Sequence, residues 1–446
     1  MTVAPAPERS PPRPPPVELL RFTTCGSVDD GKSTLIGRLL YDAKALMDDQ
    51  VESLERAAAL AGGAPNLANL TDGLRAEREQ GITIDVAYRY FTTPRRRFII
   101  ADTPGHAQYT RNMVTGASTA GAAIVLVDAR AGVLEQSRRH AAIAGLLRIP
   151  HLVVAVNKMD LVGWSEARFR AVRAEFEAFL PRLGLRDVHF LPVSALHGDN
   201  VVDRSPHAPW YDGPTLLAHL EELHVASDRD LSRFRLPVQG VVRPHRPDDP
   251  ALHDFRGVSG QIAGGLVRRG DRVLVLPAGV TTRVRRILGA DGERDEAFCP
   301  QSVVVELEHD VDVARGSLLV APDARPGGAT ELRARVCWMH PRPLVPGRRL
   351  LLKHTTATMP AAVVAVADRL DLATLEPAPA PGGLALNDLG TVRIRTGRPV
   401  FHDGYDENRA TGSFILIDPD THATLAAGLL ERPAEPARIE TCDYTI

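Results

Sequence analysis

The chain has 446 residues, of which 44% are hydrophobic, and 53 Lys and Arg against 55 Asp and Glu leave a formal charge of −2. That length is too great for one ordinary core and implies two to four domains, while the near-neutral charge argues against a general nucleic-acid binder. No run of eighteen apolar residues is present, which excludes a transmembrane helix, and the missing apolar signal core at the N-terminus points to the cytoplasm.

Residues 1–17 are rich in proline and lack apolar periodicity. They cannot bury enough surface to offset their ordering entropy and are expected to form a disordered tail. An apolar strand is expected over residues 19–25. It leads into Gly26-Ser27-Val28-Asp29-Asp30-Gly31-Lys32-Ser33, a G-x-x-x-x-G-K-[ST] phosphate-binding loop, followed directly by Thr34. Leu35, Ile36, Leu39 and Leu40 then recur at helical spacing. Strand, loop and helix are the context this motif requires. Glycines let successive backbone N–H groups face oxygen anions, and the helix N-terminus adds the positive end of a dipole. Lys32 is placed to reach the β- and γ-phosphates, and the Ser33 hydroxyl can ligate Mg²⁺.

Short apolar runs at 98–101, 122–127, 151–156 and 190–193 follow. Helix-like stretches at 137–147 and 166–180 lie between them. This alternation predicts a largely parallel sheet covered by helices on both faces, spanning residues 18–230. Ligands of such sheets bind beyond the carboxyl ends of the strands. After residue 230 the periodicity changes to short alternating strands at 238–242, 258–262, 272–276 and 303–307, separated by glycine turns. A β-barrel is expected over 231–325, and a second β-barrel domain over 326–446 from strands at 332–339, 349–353, 362–368 and 389–395. The cysteines Cys25, Cys299, Cys337 and Cys442 have no metal-ligand spacing and are read as core or surface thiols. Trp164, Trp210 and Trp338 are read as packing residues, and the run Arg95-Arg96-Arg97 as a charged hairpin turn.

Three further stretches narrow the nucleotide. Asp102-Thr103-Pro104-Gly105-His106 follows a strand. Its acid can hold Mg²⁺ through water, the Gly105 N–H can sense a γ-phosphate, and His106 is the candidate for orienting the attacking water. Asn157-Lys158-Met159-Asp160 follows another strand. The Asp160 carboxylate can accept the paired N1 and N2 donors of guanine, a pair adenine lacks. Asn157 is expected at the base edge and the Lys158 stem over the base face. Ser194-Ala195-Leu196 can donate backbone N–H to guanine O6. Between the first two motifs lies Gly81-Ile82-Thr83-Ile84-Asp85, where the Thr83 hydroxyl can complete a Mg²⁺ shell with GTP bound and release it after hydrolysis.

These residues resemble the elongation factor Tu-like translational GTPases. Such proteins carry an α/β P-loop GTPase domain followed by two β-barrel domains. Within that group the chain is most similar to the large, GTP-hydrolysing subunits of bacterial sulfate adenylyltransferases. The similarity rests on residues 24–40, 77–91, 101–106, 108–113, 128–134 and 136–140, on Asp254-Phe255-Arg256-Gly257, and on Asn408-Arg409-Ala410-Thr411-Gly412. Ser27 stands where elongation factors typically have His, and Ala107 replaces the Glu that usually follows the motif histidine. The resemblance implies GTP and Mg²⁺ as cofactors and a small ATP sulfurylase subunit as partner. That subunit would make adenylylsulfate and pyrophosphate from ATP and sulfate while this one hydrolyses GTP. Neither a membrane nor a nucleic acid is an expected partner. The chain shows no second P-loop, so the adenylylsulfate kinase fused to some relatives is not expected. The alternative is a translation-factor GTPase that delivers aminoacyl-tRNA; its RNA affinity would fall with salt.

Overall fold

The computed structural model describes residues 18–49 except Val28, scattered positions between 51 and 67, and then 86–104, 110–185, 187–224, 231–244, 254–371, 374–433 and 442–443. The proline-rich segment 1–17, the stretch 81–85 with Thr83, and Gly105 and His106 lie outside the described residues.

The first domain is built on six strands: β1 (Leu19–Gly26), β2 (Ala87–Thr92), β3 (Arg97–Asp102), β4 (Ala122–Asp128), β5 (His151–Asn157) and β6 (Asp187–Pro192). Their order across the sheet is β2-β3-β1-β4-β5-β6, parallel except for β2, which runs antiparallel to β3 at the edge. The central strand β4 is buried along its whole length, which explains its unbroken apolar run: a parallel strand covered on both faces has no wet side.

Among the described residues six helices cover the sheet: α1 (Lys32–Asp42), α2 (Thr110–Ala117), α3 (Glu135–Leu146), α4 (Glu166–Glu177), the single-turn α5 (Leu180–Leu183) and α6 (Leu216–Glu222). Ile124 and Leu126 of β4 point into a cluster with Leu35, Ile36 and Leu39 of α1 and Leu220 of α6. Ala123, Val125 and Val127 point the other way, against Met113 of α2, Ile143 of α3 and Phe176 of α4. The period-two alternation of one strand thus supplies both halves of the core.

Two antiparallel barrels follow. In the first, strands 272–276, 318–320, 235–242, 257–261, 302–307 and 280–289 pair in that order around the ring, and the last pairs back to the first. In the second, the ring runs 349–354, 413–417, 424–430, 327–338, 389–402 and 357–370, again closing on itself. Closure leaves no strand of either ring at a free edge among the described residues. Trp338 is fully buried in the second barrel. The helix-covered core of the first domain continues into this barrel through Cys337, Met339, Leu389, Tyr405 and Leu429. Cys25 and Cys337 are buried thiols. No helix among the described residues is long and apolar enough to cross a membrane.

Candidate nucleotide site

The strand register brings the motifs to one edge. Thr24 of β1 stands opposite Asp102 of β3, Gly26 opposite Leu126 of β4, and Asp128 of β4 opposite Asn157 of β5. All these strands are parallel, so their carboxyl ends form one continuous rim, and each motif loop leaves from it.

At the centre of the rim the chain turns from β1 into α1. Gly31 takes φ 92°, and a Cβ there would lie 2.6 Å from the Asn157 side-chain nitrogen, so both the backbone angle and the space require glycine. No side chain caps α1, and its first turn carries no acid. The orphan N–H groups of that turn therefore remain available to an anion, with Lys32 and Ser33 in the same turn.

Behind the loop, the Ser27 N–H donates to the Asp30 carboxylate at 2.5 Å. Burial pushes the Asp30 carboxyl up to about 6, against the opposing pull of the Ser27 N–H and the Lys32 and Lys158 charges. Cys25, sealed beneath the loop, is pushed up to about 12 by burial and stays a neutral thiol. On the β3 side, Thr24 donates to Asp102 at 3.3 Å and Thr103 donates to the Thr24 carbonyl at 2.7 Å. These bonds fix the end of β3 beside the loop.

On the β5 side, the Asn157 side chain ties two loops together. Its Nδ2 donates to the Asp30 carbonyl at 2.7 Å and its Oδ1 accepts from the Ala195 N–H at 2.9 Å. Sequence reasoning expected Asn157 at the base edge. The fold shows a structural role beside that expectation: each end of the buried amide bonds the protein, because β5 lies between the two loops it joins. Lys158 has left-handed backbone, and its ammonium bonds the Asp29 carbonyl and lies 3.0 Å from Asp128. Burial raises the Asp128 carboxyl, but hydrogen bonds from Arg130 and Lys158 outweigh it and hold the group well below the usual carboxylate range. Anchoring the ammonium at Asp128 lays the aliphatic stem of Lys158 along the rim.

Asp160 lies in the short 3-10 turn Met159–Val162, with the His197 ring 3.8 Å from its carboxylate. Met159 is buried beneath it. Ser194 accepts from the His197 N–H at 3.4 Å, and Leu196 is exposed. Arg38 of α1 donates to the carbonyls of Ala195 and Leu196. Sequence reasoning passed over Arg38, because a single Arg on an amphipathic helix gives no signal until the fold sets it under that loop.

Sheet and barrels with this rim define a class: a GTPase-type domain followed by two β-barrels. The family model of the elongation factor Tu GTP binding domain matches residues 17–229, and that of the GTP-eEF1A C-terminal domain-like family matches residues 331–431. The chain is 56% identical to the "Bifunctional enzyme CysN/CysC" of Mycobacterium tuberculosis over 93% of its own length and 67% of that protein. It is 50% identical to the protein of the same name from Rhodopirellula baltica, over 93% of its own length and 63% of that protein. It is also 50% identical to "Sulfate adenylyltransferase subunit 1" of Bacteroides fragilis, over 93% of its own length and 86% of that protein. The chain belongs to the sulfate adenylyltransferase subunit 1 family. It spans about two thirds of the bifunctional relatives.

Proposed function

We propose that this chain is the GTP-hydrolysing subunit of a sulfate adenylyltransferase, coupling GTP hydrolysis to the formation of adenylylsulfate and pyrophosphate from ATP and sulfate on a small ATP sulfurylase subunit. The observation that carries this is the 50% identity to a protein named as subunit 1, spanning 86% of that protein's length. The same names weigh against the translation-factor alternative. The sulfate–phosphate anhydride is very unstable, so the synthesis is uphill and gains from a second, downhill hydrolysis.

The residue roles follow from the chemistry of the rim. The backbone from Gly26 to Thr34 cradles the phosphates, Lys32 neutralises their charge, and the Asp160 carboxylate receives the guanine N1 and N2 donors beside the Lys158 stem. The Ala195 N–H already serves Asn157 and the Ser194 N–H the Asp199 carbonyl, which leaves the Leu196 N–H of the Ser194–Ala195–Leu196 turn for guanine O6. The residues fit Mg²⁺: Ser33 and Asp102 offer hard oxygens beside the phosphate cradle, and Thr83 would add a third. Among the described residues no group of three or more His, Cys, Asp or Glu could hold a metal alone. A Mg²⁺ that keeps phosphate and water ligands needs no such cage. When bound, the ion neutralises charge developing on the β- and γ-phosphates. His106 orients the attacking water, and the Gly105 N–H senses the γ-phosphate. We place the domain boundaries near residues 230 and 325 and the protein in the cytoplasm.

The test is GTP hydrolysis by the chain alone and mixed with the small subunit, ATP and sulfate. Stimulated hydrolysis with adenylylsulfate appearing in proportion is expected; hydrolysis indifferent to the partner and to sulfate would overturn the proposal. Lys32→Ala should abolish tight GTP binding in a direct titration, and near-normal affinity would remove the phosphate role.

A further inference from the structure

The loop 403–412 of the second barrel reaches every domain. Toward the first barrel, the Asp403 carboxylate receives Arg235 Nε at 2.9 Å and Nη2 at 2.8 Å, and both residues are buried. Glu407 pairs with Arg233 at 2.8 Å, and Asn408 donates to the Ala263 carbonyl at 3.0 Å. Within its own barrel, Thr411 donates to Asp403 at 2.6 Å, and the His354 ring lies 2.7 Å from the Thr411 carbonyl. Toward the GTPase domain, the Tyr405 hydroxyl donates to the Leu147 carbonyl at 2.8 Å. Arg409 donates to the carbonyls of Ser118 at 3.0 Å and Ala120 at 3.2 Å.

Those two carbonyls lie just beyond the C-terminus of α2. A guanidinium there satisfies orphan carbonyls and meets the negative end of the helix dipole. The body of α2 is seated on the nucleotide rim. At Gly116 a Cβ would come within 2.7 Å of Thr103 Cγ2 and 3.1 Å of Val86 Cγ1, so helix and rim touch without slack. Thr103 in turn is bonded to the Thr24 carbonyl, and Thr24 to Asp102. One short helix therefore has the end of β3 against its flank and Arg409 at its C-terminus.

We propose that Arg409 is the positioning residue that ties the nucleotide rim to the two barrels through α2. A displacement of the β3 end is passed to Ser118 and Ala120 because the helix packs directly on Thr103. Arg409 passes it on to a loop that Asp403 and Glu407 fasten to the other barrel. The inference rests on the proposed function for its consequence in synthesis, but not for its test in the isolated chain.

The experiment compares the full chain with R409A and R409K by hydrogen–deuterium exchange of the 404–412 amides, with GDP and with a non-hydrolysable GTP analogue. In the unaltered chain the exchange should differ between the two nucleotides by about fivefold or more, the lower end of ordinary coupling energies. R409A should erase that difference while nucleotide affinity and basal hydrolysis stay unchanged. R409K keeps the charge but cannot hold two carbonyls in a fork, so it should retain only part of the difference. A nucleotide-independent loop in the unaltered chain, or a difference that survives in folded R409A, would overturn the inference. If R409A does not fold, R409K decides by the same criterion, and a full difference there overturns it. In the complex, R409A should lower the adenylylsulfate made per GTP hydrolysed by about tenfold. An unaltered complex that makes no adenylylsulfate would instead overturn the proposed function, leaving the exchange result to judge Arg409.

Discussion

Asp160 and Asp30 are both carboxylates at the rim, and their surroundings ask different things of them. Asp160 sits half-buried at the start of its turn, with His197 3.8 Å away. In its proposed role as acceptor for guanine N1 and N2, it should be replaceable by a group with the opposite polarity. Asp160→Asn should move preference from GTP toward XTP, whose 2-oxo group takes a donor, as competition binding would show; an unchanged preference for GTP would remove the assignment. Asp30 faces inward, its carboxyl raised from 3.8 to about 6, chiefly by burial. A raised carboxyl means the folded protein holds this proton more tightly than the unfolded chain. Its stability contribution is thus complete below about pH 4 and lost as pH rises through about 6. Asp30→Asn should stabilise the protein at pH 7.5 by up to about 3 kcal/mol. The gain should shrink to nothing near pH 4. Thermal melts across that range check it, and a gain independent of pH would contradict the linkage.

At the scale of elements, the site is a meeting of loops more than a property of any one of them. The phosphate loop and the turn 194–196 are far apart in sequence, and Asn157 bonds both. Asn157→Ala leaves the Asp30 carbonyl and the Ala195 N–H without that partner, at a cost of about 1–3 kcal/mol, which if it falls on the bound state is about fivefold to 150-fold in affinity. It should weaken GTP and GDP alike and leave guanine-over-xanthine preference unchanged, the opposite signature to Asp160→Asn. Gly31→Ala should be worse than an ordinary loop substitution. It strains a φ of 92° and drives a methyl group into the same Asn157 amide. Strand, loop and helix here were legible from the residues, since apolar runs and glycine spacing are local signals. The edge strand β2 gives a weak local signal, because its six residues interleave the exposed Tyr88, Tyr90 and Thr92 with Arg89 and leave no continuous apolar run. Strands 280–289, 413–417 and 424–430 are also weakly marked in the sequence. The first interleaves Arg283, Arg285 and Arg286 with its apolar residues, and the last, rich in Leu, Ala and Gly, has weak strand character until barrel neighbours pair with it.

For the molecule as a whole, the Arg235–Asp403 pair is the buried fastening between the barrels. Burial pushes the Asp403 carboxyl up, but Arg235 and Thr411 outweigh this and keep it below its ordinary value. Removing one partner of a buried pair strands the other charge, at a cost of about 3–5 kcal/mol. Arg235→Ala should therefore lower the midpoint of urea unfolding and split the melt into more than one transition as the barrels part; a single unchanged transition would show that the apolar contacts suffice. The run Arg95-Arg96-Arg97 makes the related point. It does form a turn, but Arg96 is buried, held by Glu18 at 2.7 Å and the Leu220 carbonyl at 3.0 Å, so one charge of the three is a structural anchor.

By itself the sequence determined the sheet's apolar strands, the phosphate loop, the order of the nucleotide motifs and the change from helical to alternating patterning after residue 230. Each is written within a dozen or so neighbouring residues, where spacing alone sets backbone shape and face. Only the tertiary structure decided that Asn157 spends its amide on two loops, that Arg38 holds the turn 194–196, and that Arg409 lies at the end of α2. Those partners are 38 to 291 residues apart in the chain. Chain closure on that scale is directed by the packing of whole sheets and barrels, which no local pattern encodes.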